Sequence, residues 1–393
     1  MAREVVIVGA ARTPIGSFQG SLSKLTAPQL GAAAIKAALE RAGVKPETVQ
    51  ETLMGCVLQA GVGQAPARQA SILAGIPETV PATTINKVCG SGMKAVIAAA
   101  QSIALGDADI IVAGGMESMS NAPYLSHSMR GGARMGNVEF KDAMILDGLW
   151  DVYGNVHMGM CAEDCAVTQG VSRSLQDEYT LESTRRAIQA QKEGLFTAEI
   201  TPVQIPGKKP EDMINVVEDE GPRNAKLDKI PGLKPVFKKD GTVTAANASS
   251  INDGAAALVL MSAERAKAEG RTILGRINGY AQAARKPIEF TIAPTDAINA
   301  LMKKTGITVN DVDLWEINEA FAVVSIANNR LLNLDASKVN VRGGGLSLGH
   351  PIGASGARVL VTLLHTMKDL GKKRGVASLC IGGGEGIALM VER

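Results

Sequence analysis

Four side chains in this chain have the chemistry and the setting to form and break covalent bonds. Cys89 lies in "NKVCGSGMKAV" (86–96), between a strand-like "PATTIN" and a helix-like run from Gly90 to Leu105. A thiol on such a strand-to-helix turn is presented at the end of a sheet, and Gly90 lets backbone and substrate approach. The helix N-terminus should favour thiolate and lower its pKa. The competing reading is a buried cysteine acting as a small hydrophobe. His350 sits in "GGGLSLGHPIGASGAR" (343–358), a glycine-rich loop before a helix, and is one of only four histidines. Its imidazole could take a thiol proton and return it near neutral pH, or could simply bond to the backbone. Cys380 ends an apolar run in "SLCIGGGEG", facing a triple glycine. Backbone N–H groups there could hold a developing oxyanion, although a core cysteine fits the same pattern. Asn318, in "WEINEAFA" (315–322), is an amide closing an apolar strand. Buried, it needs partners or a water, and Glu319 beside it could cap the next helix.

Other candidates are weaker. Cys161 and Cys165 are four apart with no second Cys/His pair at zinc spacing, so no metal site is expected. No Walker sequence occurs, and no GxGxxG follows an early strand with a downstream acid. His365 reads as a helix residue and His127 as a surface residue.

The elements that must position these groups repeat. Residues 36–57 resemble 299–320, and 89–118 resemble 353–386, with a similar offset. Each pair gives helices, glycine turns and buried strands, which reads as a duplicated α/β unit. Continuously apolar strands alternating with helices imply mostly parallel sheets covered on both faces. On this alignment Cys380 falls near the position of Val112. Residues 120–247 differ. They carry one clear helix, "SLQDEYTLESTRRAIQAQKEG", and then six prolines between Thr201 and Asp240: Pro202, Pro206, Pro210, Pro222, Pro231 and Pro235. This is the pattern of an inserted, loop-rich subdomain suited to clamping a ligand. The expected division is a first half, 1–119, completed by 248–270; the insertion, 120–247; and a second half, 271–393.

Bulk properties narrow the function further. The 393 residues suffice for two or three domains, with 46% hydrophobic and 20% charged residues. Lys plus Arg number 41 against 39 acids, so no global field favours nucleic acid or an anionic membrane. Five cysteines in a chain this long do not make a disulfide framework and suit a reducing compartment. No signal peptide, peroxisomal ending or membrane span is read, so the expected location is cytoplasmic.

Two cysteines and a histidine on turns at one sheet edge, in a duplicated α/β chain, resemble the thiolases. "NKVCGSGMKAV", "AGGMESMSNAPY", "HMGMCAED", "GTVTAANASSINDGAA", "NEAFA", "GGGLSLGHPIGASGAR" and "CIGGGEG" carry the likeness, which spans essentially the whole chain. It is strongest to the short-chain, biosynthetic branch. The resemblance implies two βαβαβαββ halves packed as a five-layered α-β-α-β-α core with an inserted loop domain. It implies reversible condensation of two acetyl-CoA to acetoacetyl-CoA and CoA, as a homotetramer and without a required cofactor. Cys89 would carry the acetyl group, His350 would activate it, and Cys380 would remove a methyl proton. Asn318 would position a water that, with His350, makes one oxyanion hole. The N–H groups of Cys89 and Gly382 would make the other. His157, Met158, Phe237, Ala245, Ser249 and Phe321 would line the pantetheine path, with Arg223 near the nucleotide. A basic run of Lys208, Lys209, Arg223, Lys226, Lys229, Lys234, Lys238 and Lys239 could attract CoA phosphates.

Three departures accompany the likeness. Gly345, after the second glycine of "GGGLSLGHP", stands where many members have alanine. Phe290, in "IEFTIAP", is closer to the mitochondrial subgroup and would permit 2-methyl substrates. That subgroup binds a monovalent cation through carbonyls equivalent to those of Ala245, Ala246 and Leu346. Thr184 replaces a contributing tyrosine, which argues against cation activation here. Two rival readings remain. A decarboxylating ketoacyl synthase would lack the thiol at Cys380, and a longer-chain degradative thiolase would keep every motif.

Overall fold

The computed structural model describes residues 3–207, 209 and 212–393, so Lys208 and Pro210 lie outside the described residues. The first half contributes β1 (Val5–Arg12), α1 (Ala27–Ala42), β2 (Glu51–Gly55), α2 (Pro66–Leu73), β3 (Ala82–Ile85), α3 (Ser91–Leu105) and β4 (Ile110–Ser118). The insertion holds α4 (Met158–Thr168), α5 (Arg173–Lys192) and several two- to four-residue strands. The chain then returns through β5 (Asn252–Ser262). The second half follows with β6 (Gly275–Ala284), α6 (Ala293–Thr305), β7 (Leu314–Ile317), α7 (Ala322–Leu331), α8 (Ile352–Asp369), β8 (Arg374–Ile381) and β9 (Glu385–Glu392). Local signals account for the helix ends. Thr26 and Gln29 form a reciprocal capping box at the start of α1, and left-handed Gly43 closes it.

The strands form one sheet in the order β7-β8-β9-β6-β1-β5-β4-β2-β3, with Gly16–Ser17 added beside β5. It folds back at the short β1–β6 pairing, so its two halves enclose α3 and α8. Helices α1 and α2 cover the outer face of the first half, and α6 covers that of the second. Three apolar cores result: one under α1, one around α3 and α8, and one under α6. This is the five-layered α-β-α-β-α arrangement. The 88–105 stretch is apolar enough to cross a bilayer by length and composition, yet α3 belongs to the central layer.

Two sequence expectations change. Neighbouring strands are mostly antiparallel: only β7–β8, β2–β4 and β2–β3 pair parallel. Most strands of each half do run one way, but the last one, β5 or β9, slots between two of them without a helical crossover. It thereby turns parallel neighbours into antiparallel pairs. The register also moves Cys380. Met54 pairs with Gly114 as Ile317 pairs with Ser378, so Cys380 is equivalent to Met116, four residues beyond Val112. Gly114 and Gly115 therefore lie inside β4, whereas Gly382–Gly384 follow β8, and the two glycine runs are not equivalent.

The repeated Ser-Gly of the two halves has a packing cause. A Cβ on Gly92 would lie 2.7 Å from the Ala357 nitrogen, and one on Gly356 would lie 2.3 Å from the Met93 nitrogen. Helices α3 and α8 thus cross backbone to backbone at their N-terminal ends, bringing the Cys89 turn beside the His350 loop.

Candidate active site

Cys89 sits on a tight turn whose shape is set by its neighbours. Val88 adopts φ 45°, a left-handed conformation strained for a β-branched residue. The Asn86 side chain accepts from the Val88 N–H at 3.0 Å. Ser91 Oγ accepts from the Lys87 N–H at 2.8 Å and donates to the Val88 carbonyl at 2.6 Å. An ion pair between Lys87 and Glu385 ties this turn to the glycine turn after β8. Gly90 packs closely under Ile381: a Cβ there would meet Ile381 Cδ1 at 2.5 Å and displace that side chain.

His350 is buried at the mouth of α8. Its backbone N–H donates to Asn252 Oδ1 at 3.0 Å, and left-handed Gly349 before it turns the chain. Nδ1 lies 2.6 Å from Ser355 Oγ, which itself donates to the Pro351 carbonyl at 2.9 Å. Since that hydroxyl proton is committed, Ser355 accepts from Nδ1–H, which leaves Nε2 as the acceptor nitrogen of the ring. Burial, then the Arg358 charge, lowers the His350 pKa to about 3, so the resting imidazole is neutral.

Asn318 follows β7, with its N–H on the Ser378 carbonyl at 2.9 Å. Its amide nitrogen is 3.4 Å from both ring nitrogens of His350. Its Oδ1 is buried with no partner among the described residues, as expected of an atom that holds a water. Cys380 is fully buried near the end of β8, packed in a cluster with Met158, Phe290 and Phe321.

Cys89, His350 and Gly382 line one cavity of about 290 Å³ together with His157, Met158, Phe237, Ser249 and Phe321. Burial raises the Cys89 pKa to about 11, outweighing the N–H of Gly382 and its own N–H, which lie within reach of the sulfur and lower it. The helix N-terminus therefore does not yield a resting thiolate, contrary to the sequence expectation. Burial also raises the Cys380 thiol well above its usual value, and the neighbouring Cys89 adds to the shift. The site at rest holds two neutral thiols and a neutral imidazole. It can accept an acyl group on sulfur, host oxyanions at two places and move protons among three side chains.

The opening is built by the insertion. His157 caps α4 through Nδ1, which accepts from the Gly159 N–H at 3.1 Å, and stacks on Phe237 at 4.7 Å. Phe237 and Phe290 both approach Phe321 edge-on, at 6.5 and 6.4 Å. The far wall is apolar, with Met119, Ile145, Leu149 and Ile352, none of which the sequence singled out. Of the expected residues, Cys380 and Asn318 are fully buried and do not themselves line the cavity, and two others are not brought in at all. Ala245 is exposed on a turn outside the cavity. Arg223 lies on a short helix, Glu220–Asn224, with its guanidinium on Glu220 at 3.0 Å, and that carboxylate also accepts the Ser17 N–H. Thr184 donates to the Thr180 carbonyl within α5. No cluster suited to a metal occurs among the described residues. Ser355 was missed and Glu319 was read only as a helix cap, since only the folded chain reveals what they touch. Glu319 does not cap α7, whose first turn has no side-chain cap.

Comparisons with known proteins agree with this geometry. The family described as "Thiolase, N-terminal domain" matches residues 5–264, and "Thiolase, C-terminal domain" matches 271–393. An acetyl-CoA acetyltransferase of Cupriavidus necator is 55% identical over 390 residues, 99% of each chain. The mitochondrial acetyl-CoA acetyltransferase of Mus musculus is 50% identical over 99% of this chain and 91% of its own. A crystal structure of the Bacillus anthracis acetyl-CoA acetyltransferase superposes with TM-score 0.96 at 42% identity, covering 100% of this chain and 99% of that one. With both family domains matched and relatives aligned end to end, the chain belongs to the thiolase family.

Proposed function

We propose that the protein is an acetyl-CoA C-acetyltransferase that interconverts two acetyl-CoA with acetoacetyl-CoA and CoA through acetyl-Cys89. The observation that carries the reading is the convergence of Cys89, His350 and Gly382 on one cavity, with Cys89 near enough to contribute to the raised pKa of the buried Cys380 thiol. His350 Nε2 takes the Cys89 proton as sulfur attacks the first thioester. The tetrahedral oxyanion rests on the N–H groups of Cys89 and Gly382. The departing CoA thiolate takes the Cys380 proton and leaves as the thiol. Cys380 thiolate then removes a methyl proton from the second acetyl-CoA. The enolate oxygen is held by His350, now protonated, and by the water on Asn318. Attack on acetyl-Cys89 releases its thiolate, which recovers the proton from His350, so the site ends as it began.

This division answers the chemical difficulty. A thioester α-hydrogen is weakly acidic, so enolate stabilisation is the larger demand, and one aimed donor contributes on the order of 3 kcal/mol. Capture on Cys89 divides the reaction into two easier steps. Side chains, backbone N–H groups and the water on Asn318 supply every group used. Retention of a thiol at Cys380 favours a base-dependent condensation over the decarboxylating alternative.

Cys89→Ala should abolish thiolysis of acetoacetyl-CoA. Cys380→Ser should still take radiolabel from acetyl-CoA onto protein yet fail to condense. Wild-type turnover in the first variant would overturn the nucleophile, and loss of labelling in the second would overturn the separate roles. The free buried thiols support a reducing, cytoplasmic setting. A homotetramer is supported by family likeness and by exposed Tyr124, Met129, Met135 and Phe140 on the insertion.

A further inference from the structure

Among the buried carboxylates that the mechanism leaves unused, Glu319 is bonded into the network around Asn318. Glu319 follows Asn318 directly and is 0% exposed. Its Oε1 accepts from the Tyr179 hydroxyl and the Asn340 amide, each at 3.0 Å. Its Oε2 accepts from the Ser183 hydroxyl at 2.7 Å and the Leu346 N–H at 3.2 Å. Four donors from three parts of the chain thus converge on one side chain: α5 of the insertion, the 340 turn, and the loop that carries His350. None of these donors is cationic, so the carboxylate is held by hydrogen bonds alone, which in a buried site are strong and directional.

The surroundings leave Glu319 little freedom. A Cβ on Gly344 would lie 2.5 Å from Glu319 Cδ, and one on Gly345 would lie 3.0 Å from Asn318 Oδ1. The glycines of "GGGLSLGHP" therefore let the His350 loop lie directly over residues 318–319. Asn340, held at φ 45°, grips the strand just before Asn318: its Oδ1 accepts from the Ile317 N–H at 2.9 Å and its Nδ2 donates to the Ile317 carbonyl at 2.8 Å. Asn340 Nδ2 also reaches Glu319, so backbone and side chain on both sides of Asn318 share one network.

We propose that Glu319 is a positioning residue for the enolate oxyanion hole, clamping Asn318 against the His350 loop. This rests on the thiolase reading above and refines it. The Asn318 water and His350 hold the enolate oxygen, whereas acetylation of Cys89 uses a different pair of donors. Loosening the clamp should impair enolate formation selectively. A residue that merely supported the fold would slow both halves of the reaction alike.

The two halves separate experimentally with the full-length protein. Exchange of labelled CoA into acetyl-CoA passes through acetyl-Cys89 and forms no enolate; thiolysis of acetoacetyl-CoA requires one. For Glu319→Gln, which keeps the shape but presents a donor where acceptors are needed, kcat for thiolysis should fall at least tenfold. Its CoA exchange rate should stay within about threefold of wild type, by analogy with loss of a single oxyanion contribution. Tyr179→Phe removes one donor and leaves the carboxylate; it should shift the same ratio, thiolysis to exchange, by threefold or more. Parallel loss of both reactions, or an unchanged ratio in either folded variant, overturns the proposal. Should Glu319→Gln fail to fold, Tyr179→Phe decides. A wild-type protein active in neither assay would overturn the thiolase reading instead.

Discussion

At the level of single residues, protonation is governed by burial. Cys89 has a helix N-terminus and two N–H donors to favour its thiolate, yet desolvation raises its pKa to about 11. In the proposed mechanism Cys89 must therefore be deprotonated during attack by a base already in the right form. The neutral imidazole of His350 meets that need only if its acceptor nitrogen is Nε2. Ser355 enforces this by accepting from Nδ1–H at 2.6 Å. Ser355→Ala should release the tautomer and lower kcat for Cys89 acetylation by about 10- to 100-fold, with the acetyl-CoA KM within about twofold of wild type. Rapid-quench measurement of acetyl-enzyme formation checks this, and an unchanged burst rate would remove Ser355 from the account. Sequence reading singled out Cys89, His350 and Cys380 because thiol and imidazole side chains beside glycine turns are rare, and Asn318 because it is an amide closing an apolar strand. It missed Ser355 and misjudged Glu319, because serine and glutamate are common and their partners lie far along the chain.

At the level of elements, the decisive contact is the crossing of α3 and α8. Both helices start just after a catalytic loop, and both present glycine where they meet, Gly92 and Gly356. The repeat of Ser-Gly was visible in the sequence as a resemblance between halves. Its cause, two backbones in van der Waals contact, was not. Gly356→Ala would push a methyl to 2.3 Å from the Met93 nitrogen and force the helices apart, at about 1–3 kcal/mol or more. A lower thermal midpoint and at least a tenfold loss of thiolysis are expected together, since Cys89 and His350 move with their helices. Gly131→Ala, at a position open to solvent with nothing within 4 Å, serves as the control and should change neither.

At the level of the whole molecule, the insertion must be locked to the core it serves. Arg12, at the end of β1 and 0% exposed, joins Glu199 at 2.6 Å and Asp219 at 2.7 Å. Arg41 adds bonds to the carbonyls of Glu199 and Ile200 at 2.8 and 2.7 Å. Further along, α5 packs against α7 and the short helix before His350, so a segment emerging from the first half roofs the catalytic loops of the second. Breaking a buried pair strands its partners: Arg12→Met should cost about 3–5 kcal/mol by leaving two carboxylates uncompensated. Faster thermal inactivation, with proteolytic cutting first appearing between 199 and 219, would be the signature. Cutting elsewhere first would assign the arginine a different role.

The sequence by itself determined the duplicated α/β plan, the inserted segment and the residue types able to run acyl transfer through sulfur. Those follow from local pattern: apolar periodicity, proline density and reactive side chains beside glycine. Only the tertiary structure decided which strands are neighbours, that Cys380 aligns with Met116, that Arg223 faces Glu220 away from the cavity, and that Glu319 holds four donors. These depend on contacts between residues dozens to hundreds of positions apart and on how far each group is removed from water, and neither quantity exists until the chain has closed upon itself.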